Sequence, residues 1–448
     1  MAESSAAQIP KRIFYATGPG DAIGAHRSWK CGAHHPTETS VTFSSQVEQY
    51  CADIGADLLM VGHHPQRAVL TDGKVRIEHL PKPWPGARGG LFHLGELVHA
   101  ARLLTRAIQF KADVAIIESG SPFDAWKVLF SLFGMKVVPI CHNTLWPQGF
   151  KPKTAKARLR RWIDGFFWRH VPFATICVSP ACVRQVEESS GGGAGQVLLA
   201  LAQFPQERFR DIPPPPAAEH GPFTLLYVGR IVQEKGVFDI IDIAALVEAE
   251  APGAFRWIVG GDGPDLHELR RRRDDFGLGR TVDIRGWISP EELPATFAAA
   301  HACIVPTRSS FPEGLAMTAV EAVLAGRPVI TSKVVPALEL VRSAAVEYET
   351  DDLKSCARAI IALAEDELRY RRLCSNARSA AAPFVDPRFS LTSALKRALG
   401  AAPRSATDTM NLSNTSIPGP RAGARAFDPP LGARGKATPL SASAEESH

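Results

Sequence analysis

Residues 225–241 read LLYVGRIVQEKGVFDII, a stretch that joins an apolar strand, a polar loop and the start of an apolar helix. The strand pattern ends at Gly229, and the loop that follows carries Arg230 and Lys235. Gly236 then lets the backbone approach a neighbouring element closely before the helix begins. A buried strand that passes directly into a helix is the unit of parallel sheets covered on both faces. The stretch therefore predicts a doubly wound α/β domain.

The same alternation of apolar runs and amphipathic stretches continues on both sides of this unit. Downstream the strand-like runs are FRWIVG, TVDIRG, ACIVP and RPVIT, and upstream they are IFYAT, DLLMV, DVAIIE, MKVVPI and ATICV. Between the two series lie a glycine run at 191–195 and a proline run at 213–216, which are typical of a linker zone. The sequence therefore predicts two parallel sheets, with a ligand cleft at the carboxyl ends of their strands.

The length of 448 residues exceeds a single ordinary core and allows two domains. We place an N-terminal Rossmann-like domain at 10–205, a linker at 206–222 and a C-terminal Rossmann-like domain at 223–384. Residues 385–400 are expected to form a terminal helix that can pack back on the N-terminal domain. Residues 401–448 are rich in Ala, Pro, Ser, Gly and Arg and lack apolar periodicity, so we predict a disordered tail.

Composition limits the classes of protein to which this chain can belong. Its proportions of hydrophobic and charged residues are ordinary, and no run approaches the roughly 20 apolar residues that span a bilayer. The start lacks the basic and apolar regions of a secretion signal, and the eight cysteines are scattered without a disulfide or zinc spacing. We therefore expect a cytoplasmic protein with reduced thiols.

Arg230 and Lys235 are the first candidate functional residues. Two cations at the carboxyl end of a strand, beside a helix amino terminus, favour anion binding, and each charge-assisted bond contributes about 1.5–3 kcal/mol. A phosphate is the expected ligand, and two solvated surface cations are the alternative. The turns in WIVGGDGP (257–264) and DIRGWISPEEL (283–293) bring further backbone amides to the same sheet edge.

Two acidic residues stand out in SSFPEGLAMTAVEAVLAGRPVI, residues 309–330. Glu313 lies in a loop and Glu321 lies eight positions later on an apolar helix, so at ~1.5 Å per residue they are about 12 Å apart along the helix. They cannot act on one atom, but they can address two ends of an extended ligand. The helix amino terminus at Gly314 to Ala316 would bind the anionic part between them. The alternative for Glu321 is a buried acid with a local hydrogen-bond partner.

The order of these motifs resembles the second domain of a known family. VGRIVQEKG, VGGDGP, RGWISPEEL, the E-x7-E acid pair and ALELV follow one another as in the retaining glycosyltransferases of family 4, the group 1 enzymes. The resemblance is strong over about 223–341 and looser over 1–200. It implies an α/β protein with the GT-B fold, in which two Rossmann-like doubly wound domains face a central cleft. The N-terminal domain would then serve the acceptor, and the C-terminal domain would bind the nucleotide sugar.

The resemblance also implies roles for individual residues. Glu321 would bind the ribose hydroxyls of the nucleotide, and Glu313 would meet the hydroxyls of the transferred sugar. Arg230 and Lys235 would hold the diphosphate. The donor-binding residues implied in this way are Gly229, Arg230, Lys235, Gly261, Trp287, Glu313, Gly314, Leu315, Ala316 and Glu321. The candidate catalytic residues are Glu313, His142, Arg230 and Lys235.

Residues of the N-terminal half complete the set of candidates. The family keeps a histidine at a strand end near the donor sugar and acceptor, and His142 in VVPICHNTLWPQGF fits that place, with a structural histidine as the alternative. The loop at 16–40 departs from the family's Gly-Gly turn, and within it Gly18 and Gly20 are the candidate donor contacts. The histidine pairs at 34–35 and 63–64 are not expected to bind a metal, because adjacent strand residues point to opposite faces.

The resemblance implies a retaining, metal-independent hexosyltransferase without a cofactor. Its donor would be a UDP- or GDP-linked sugar, and its acceptor a saccharide or lipid-linked saccharide in surface polysaccharide or glycolipid assembly. A nucleotide-sugar epimerase and a non-catalytic scaffold with the same fold are the alternatives. A phosphorylase would need a cofactor-binding lysine motif that the sequence lacks.

One segment carries the positive charge of the chain. KPKTAKARLRRWIDGFFWRH at 151–170 holds seven Lys or Arg and one Asp, whereas the whole chain has a net charge of +5. This local basicity argues against general nucleic-acid binding and suits an anionic membrane surface, at about 1 kcal/mol per basic residue. The side chains concerned are Lys156, Arg158, Arg160, Arg161, Phe166, Phe167 and Trp168. We expect a peripheral contact at the inner face of the membrane, and a solvated helix with its aromatic residues in the core is the alternative.

Overall fold

The computed structural model describes residues 10–118, 124–218 and 221–400. The predicted disordered tail, 401–448, lies outside the described residues. Two sheets with helices on their faces make up the described chain, which is the two-domain α/β architecture expected from the sequence. No helix in the described part of the chain is long and apolar enough to cross a bilayer.

The first sheet has eight strands in the order β3-β4-β2-β1-β5-β6-β7-β8. The strands are β1 (Arg12–Pro19), β2 (Asp57–His63), β3 (Ala68–Asp72), β4 (Val75–His79), β5 (Val114–Glu118), β6 (Lys136–Cys141), β7 (Ala174–Cys177) and β8 (Gln196–Leu199). The sequence predicts a parallel sheet here, but β3 and β4 form an antiparallel hairpin at its edge. Gly73, at φ 58°, allows the two-residue turn that joins them.

The second sheet has six strands, all parallel, in the order β11-β10-β9-β12-β13-β14. The strands are β9 (Phe223–Val228), β10 (Phe255–Gly260), β11 (Val282–Gly286), β12 (Ala302–Val305), β13 (Val329–Ser332) and β14 (Ala345–Tyr348). The first five correspond to the apolar runs that the sequence picks out. The short β14 lacks such a run and was not predicted.

Fifteen α-helices connect and cover the strands of the described residues. They are α1 (Ala22–Lys30), α2 (Phe43–Ile54), α3 (Gly89–Phe110), α4 (Val128–Leu132), α5 (Ala155–His170), α6 (Pro180–Ser189), α7 (Glu207–Arg210), α8 (Val237–Glu250), α9 (Leu266–Asp275), α10 (Leu293–Ala298), α11 (Met317–Leu324), α12 (Leu338–Val341), α13 (Leu353–Glu365), α14 (Glu367–Ala381) and α15 (Leu391–Leu399). Several begin at a hydroxyl cap, such as Thr42 for α2 and Thr154 for α5. Helix α1 lies inside the segment that the sequence analysis treats as one loop.

Helix α5 divides its aromatic residues between the core and the solvent. Phe167 and Trp168 are 1% and 0% exposed and pack in the core, as the alternative interpretation of this segment proposes. Phe166 and Trp162 instead are 64% and 75% exposed. The three-residue run FFW is therefore not a single membrane-facing group, because helical periodicity turns its second and third members inward.

The last helix, α15, packs on the first sheet. Its residues Leu391 and Leu395 are buried in one cluster with Ile13 of β1 and Tyr50 of α2. The backbone N–H of Leu391 donates to Gln46 Oε1 at 2.8 Å. The chain thus passes from the first sheet to the second and then returns to the first.

Candidate active site

A cavity of about 490 Å³ lies between the two sheets, at the carboxyl ends of their central strands. The first domain lines it with the end of β1 and the turn that follows, with part of the segment 35–44, and with Glu118 and His142 at the ends of β5 and β6. The second domain lines it with the loop after β9 and with the segment that leads into α11. A parallel α/β sheet binds ligands at this edge.

Glycines bring the loops of the second domain close together. A Cβ atom on Gly236 would lie 2.0 Å from the carbonyl oxygen of Pro306, and one on Gly261 would lie 1.8 Å from that of Gly229. Only glycine fits at such approaches, and both positions have positive φ. Gly229 lines the cavity, whereas Gly261 does not. Gly261 instead packs against the backbone of Gly229. Trp287 is 63% exposed and also lies off the wall.

Lys235 and Glu313 form an ion pair at the cavity wall. The Nζ atom of Lys235 is 2.5 Å from Glu313 Oε2, and the hydroxyl of Thr307 donates to the same oxygen at 3.1 Å. The Phe311 ring packs beside both cations, with its centroid 4.7 Å from Lys235 Nζ and 5.9 Å from Arg230 Cζ. The sequence brings these residues together but does not predict that Glu313 and Lys235 pair directly.

The segment before α11 joins the two domains. A Cβ atom on Gly314 would lie 1.7 Å from the carbonyl oxygen of His142, so the second domain touches the first here. Ala316 caps α11 with φ 73°, an unusual conformation for alanine. Gly314, Leu315 and Ala316 all line the cavity, which places the amino end of α11 at the site as the sequence predicts.

His142 faces a carboxylate that the sequence analysis did not select. Its Nε2 atom is 3.4 Å from Glu118 Oε2, and its ring packs against Phe43 at 4.9 Å between centroids. Glu118 also accepts hydrogen bonds from the Tyr15 hydroxyl and, at 2.6 Å, from the Gly18 backbone. Burial acts to raise the pKa of the Glu118 carboxyl, but His142, Tyr15 and Gly18 outweigh it and leave the pKa lowered.

The glycine loop of the first domain is held by this carboxylate. Gly18 and Gly20 both line the cavity, and the Gly20 backbone donates to the carbonyl of His63 at 3.3 Å. The signal for Glu118 in the sequence was the acid that ends the buried run DVAIIE. An acid at that edge of a parallel sheet faces the ligand cleft, as His142 does on the next strand.

Glu321 is buried and faces the first domain. It is 5% exposed and accepts a hydrogen bond from the Thr39 hydroxyl. Burial raises the pKa of the Glu321 carboxyl, and the Thr39 bond offsets only part of that rise. The segment around Thr39 is fastened by Arg208, which donates to the Glu38 carbonyl at 2.6 Å. Glu321 is off the cavity wall, so the expected ribose contact stays a prediction that requires Thr39 to share or leave this carboxylate.

The histidine pairs of the first domain have separate environments. His34 bonds Glu207 at 3.0 Å, and His63 accepts from the Lys82 backbone at 3.2 Å. Across residues 10–118, 124–218 and 221–400, no three His, Cys, Asp or Glu side chains are grouped to hold a metal ion. Metal-independent catalysis stays a prediction.

Two family models match the chain, one over each domain. The model described as "Glycosyl transferases group 1" matches residues 209–380, and the model described as "Glycosyl transferase 4-like domain" matches residues 37–200. Together they cover most of the chain and both of its sheets. The chain belongs to the group 1 glycosyltransferase family, whose GT-B fold it has.

Individual relatives match parts of the chain. The alpha-D-kanosaminyltransferase of Streptomyces kanamyceticus is 27% identical over 172 residues, which is 38% of this chain and 42% of the relative. The GDP-mannose-dependent alpha-(1-6)-phosphatidylinositol monomannoside mannosyltransferase of Mycobacterium tuberculosis is 34% identical over 111 residues, 24% of this chain and 29% of the relative. The chain thus matches less than half the length of these curated relatives.

A solved structure matches the fold over nearly its full length. The sucrose-phosphate synthase of Thermosynechococcus elongatus superposes with a TM-score of 0.63 at 19% identity, covering 87% of this chain and 99% of that one. At this identity the likeness concerns the fold.

Proposed function

We propose that this protein transfers a hexosyl group from a nucleotide-diphosphate sugar to a hydroxyl group of an acceptor. The observation that carries the proposal is the convergence of both domains on one cavity. Arg230, Lys235 and the amino end of α11 face it from the second domain, and His142 with Glu118 faces it from the first. Two cations and a helix terminus suit a diphosphate, and the opposite wall offers polar groups to a sugar and an acceptor.

Donor binding would rearrange the ion pair of Lys235 and Glu313. A phosphate oxygen would replace the Glu313 carboxylate as the partner of Lys235, and Glu313 would then accept hydrogen bonds from hydroxyls of the sugar. Arg230 would hold the other phosphate. These cations stabilise the negative charge that grows on the departing diphosphate, which is where electrostatic stabilisation lowers the barrier.

We infer that the anomeric configuration is retained. The bond between the acceptor oxygen and the anomeric carbon forms on the face from which the diphosphate departs, through an oxocarbenium-like state. The acceptor's proton passes to the departing phosphate oxygen. His142, oriented by Glu118, positions the sugar or acceptor and does not serve as the only base. The reaction as proposed needs neither a metal nor a cofactor.

The donor proposed is a UDP- or GDP-linked hexose, and the acceptor a saccharide or a lipid-linked saccharide. A relative whose name specifies GDP-mannose and a phosphatidylinositol mannoside supports this direction. Such an acceptor fits a role in surface polysaccharide or glycolipid assembly.

The test is a screen of the purified protein against UDP-, GDP- and ADP-sugars, reading binding and slow hydrolysis. We expect one nucleotide class to bind and its sugar to be released slowly to water. The Arg230→Ala variant should bind the nucleotide sugar more weakly and hydrolyse it more slowly. Binding of no nucleotide sugar would leave a scaffold protein, and an isomerised sugar in the absence of acceptor would identify an epimerase.

We also propose that the enzyme is cytoplasmic and contacts the inner face of an anionic membrane through α5 and its neighbours. Lys156, Arg158 and Arg160 are exposed on α5, and apolar side chains project beside them. Phe130 of α4 shares a core cluster with Leu103 of α3, and Lys127, just before α4, lies with its Nζ atom 6.0 Å from the centroid of the Phe167 ring of α5. Exposed apolar side chains on these three helices, and at Phe133 just after α4, include Leu91, Phe92, Leu94, Leu97, Leu129, Leu132, Leu159, Trp162, Ile163 and Phe166. Exposed cations and exposed apolar side chains on the same helix suit an anionic bilayer interface.

Co-sedimentation with liposomes tests this contact. Vesicles with anionic lipid should bind the protein in a manner that weakens with salt, and neutral vesicles should bind less. Replacing Lys156, Arg158, Arg160 and Arg161 by Gln should abolish the binding. The matched control replaces four exposed cations of the second domain, Arg256, Arg280, Lys354 and Arg358. Equal retention of both variants, or no binding to anionic vesicles, would contradict the proposal.

A further inference from the structure

A second cavity, of about 310 Å³, opens in the first domain beside the candidate active site. Its wall comes from α1, from the loop between β2 and β3, from β3 and from the end of β4. Asp21, at the start of α1, lines both this cavity and the larger one. The two cavities therefore adjoin on the side of the first domain, away from Arg230 and Lys235.

Two arginines give the second cavity a positive wall. Arg27 of α1 and Arg67 of the loop after β2 both line it and are exposed. Within residues 10–118, 124–218 and 221–400, neither guanidinium has an ion-pair partner, in contrast to Arg76, which pairs with Glu78. A guanidinium that presents its planar set of donors to solvent is suited to phosphate oxygens.

Two histidines and an aspartate shape the rest of the polar wall. The rings of His64 and His79 stack with their centroids 4.5 Å apart. His79 Nε2 accepts a hydrogen bond from the Ile23 backbone at 3.3 Å. The Asp21 carboxylate caps α1 by accepting from Gly24 at 2.8 Å and lies 3.5 Å from His79 Nε2. This carboxylate stands between the cavities and repels an anion toward the arginine side.

Apolar side chains complete the cavity. Ile23 is buried beneath it, and Ala68, Val69 and Leu70 of the edge strand β3 lie along its rim. Val69 is exposed to solvent there. A ligand that carries a phosphate beside an alkyl or ring group would satisfy both parts of this wall.

We propose that the second cavity binds a phosphate group of the acceptor, so that the acceptor's hydroxyl group reaches the neighbouring active site. This inference rests on the proposed glycosyl transfer and names the class of acceptor, a phosphate ester. The donor's own phosphates belong to the second domain, where Arg230 and Lys235 lie. A lipid headgroup and a water-soluble sugar phosphate share the chemistry that the arginines recognise.

The test measures phosphate binding when the donor site is filled. The protein is saturated with UDP or GDP, whichever binds, and titrated with inorganic phosphate, glycerol 1-phosphate and dihexanoyl phosphatidylglycerol, each followed calorimetrically. The variant carries Arg27→Gln and Arg67→Gln. The control carries Arg256→Gln and Arg280→Gln, which remove two exposed cations of the second domain and change the net charge equally.

We expect at least one phosphate ester to bind the unaltered protein and the control, and its affinity to fall about tenfold or more in the cavity variant. If dihexanoyl phosphatidylglycerol binds most tightly, the ligand is a lipid headgroup. If glycerol 1-phosphate binds most tightly, the ligand is a water-soluble phosphate ester. Equal affinity in the two variants, or no binding of any probe, would overturn the proposal. Nucleotide affinity should be the same in all three proteins, so a failure of nucleotide binding would be a failure of the proposed glycosyl transfer instead.

Discussion

Lys235 is held by Glu313, so in the proposed mechanism the donor diphosphate would compete with a carboxylate for the same ammonium group. The ion pair keeps Lys235 in position and gives the buried Glu313 carboxylate a partner. In the proposed mechanism the ion pair also couples the two halves of the donor, because a phosphate that binds Lys235 would release Glu313 for the sugar.

We expect Arg230→Ala and Lys235→Ala each to reduce turnover by roughly 10²–10³-fold and to weaken the binding of free nucleoside diphosphate. Each substitution removes a positive charge that stabilises the departing diphosphate. Steady-state kinetics and calorimetry with the nucleoside diphosphate measure the two effects. An unchanged diphosphate affinity in both variants would place the diphosphate elsewhere.

Glu118 is a positioning residue for His142 and for the Gly18 loop. Glu118→Gln keeps the shape of the side chain but removes the charge, so we expect kcat to fall about 10–100-fold while nucleotide affinity is unchanged. Tyr15→Phe removes one hydrogen bond to Glu118 and should have a smaller effect. Parallel losses of kcat and nucleotide affinity in Glu118→Gln would indicate general damage to the cleft.

Burial of Glu321 makes the stability of the folded protein depend on pH. The pKa of Glu321 in the folded protein is raised above the ordinary 4.5. Between the unfolded-state pKa and the higher folded-state pKa, the folded state therefore binds more protons than the unfolded state. Stability therefore falls as the pH rises through this window, and the full cost is present above it.

Glu321→Gln keeps the bond to Thr39 without the charge. We expect this variant to melt at a higher temperature than the unaltered protein at pH 7–8, with the difference vanishing near pH 4. Nucleotide binding should weaken in the same variant if Glu321 contacts the ribose. Thermal melts across the pH range test the expected difference in melting temperature. A difference that grows toward acidic pH would contradict it.

At the scale of elements, Arg327 ties the linker to the second domain. This fully buried side chain donates to the carbonyl oxygens of Pro213 at 2.8 Å and Ala298 at 3.2 Å. It also donates to Ala300 and Ala325. The charge has no carboxylate partner among the described residues, so the carbonyl groups alone satisfy it.

We expect Arg327→Met to lower the free energy of unfolding by about 2–4 kcal/mol, because it leaves several buried carbonyl groups without a donor. Urea unfolding followed by circular dichroism measures this loss. Arg342→Met is the control, since Arg342 is exposed and pairs with Glu347 on the surface. Equal stability of the two variants would mean that water replaces the guanidinium.

Strands and helices were predicted from the sequence where the apolar runs were long. The interior strands β1, β2, β5 and β9 are continuous apolar runs, because both of their faces are covered. The hairpin of β3 and β4 was missed because its half-exposed residues alternate too weakly over five positions. Helix α1 was missed because its nine residues lie between glycines in a stretch that otherwise resembles a loop.

At the scale of the whole molecule, the sequence predicted the two-sheet architecture and half of the cavity wall of the second domain. Arg230, Lys235 and Glu313 lie in one contiguous set of motifs, and the fold brings their strand ends together. The pairing of Thr39 with Glu321 was not predictable in this way, because it joins residues 282 positions apart across the cleft. Glu118 was missed for a related reason, since its partners Tyr15 and Gly18 lie on β1 and its partner His142 follows β6, both distant in the sequence.

We predict that the protein remains active in excess EDTA. Lys235, Arg230 and the amino end of α11 supply positive charge where many enzymes place a divalent ion, so we expect glycosyl transfer to persist unchanged. Product formation with and without the chelator measures it. A loss of activity that Mg²⁺ or Mn²⁺ restores would show that the cations of the protein are not sufficient.

The return of α15 to the first sheet has a consequence for synthesis on the ribosome. Leu391 and Leu395 complete the packing around Ile13 and Tyr50, so the half of the protein that is translated first is also the half that is finished last. The second domain is contiguous in the chain and has all of its strands by Tyr348. The nascent chain must therefore keep part of the earlier core exposed to solvent or to chaperones until nearly 400 residues have been made, and the later domain can mature before the earlier one.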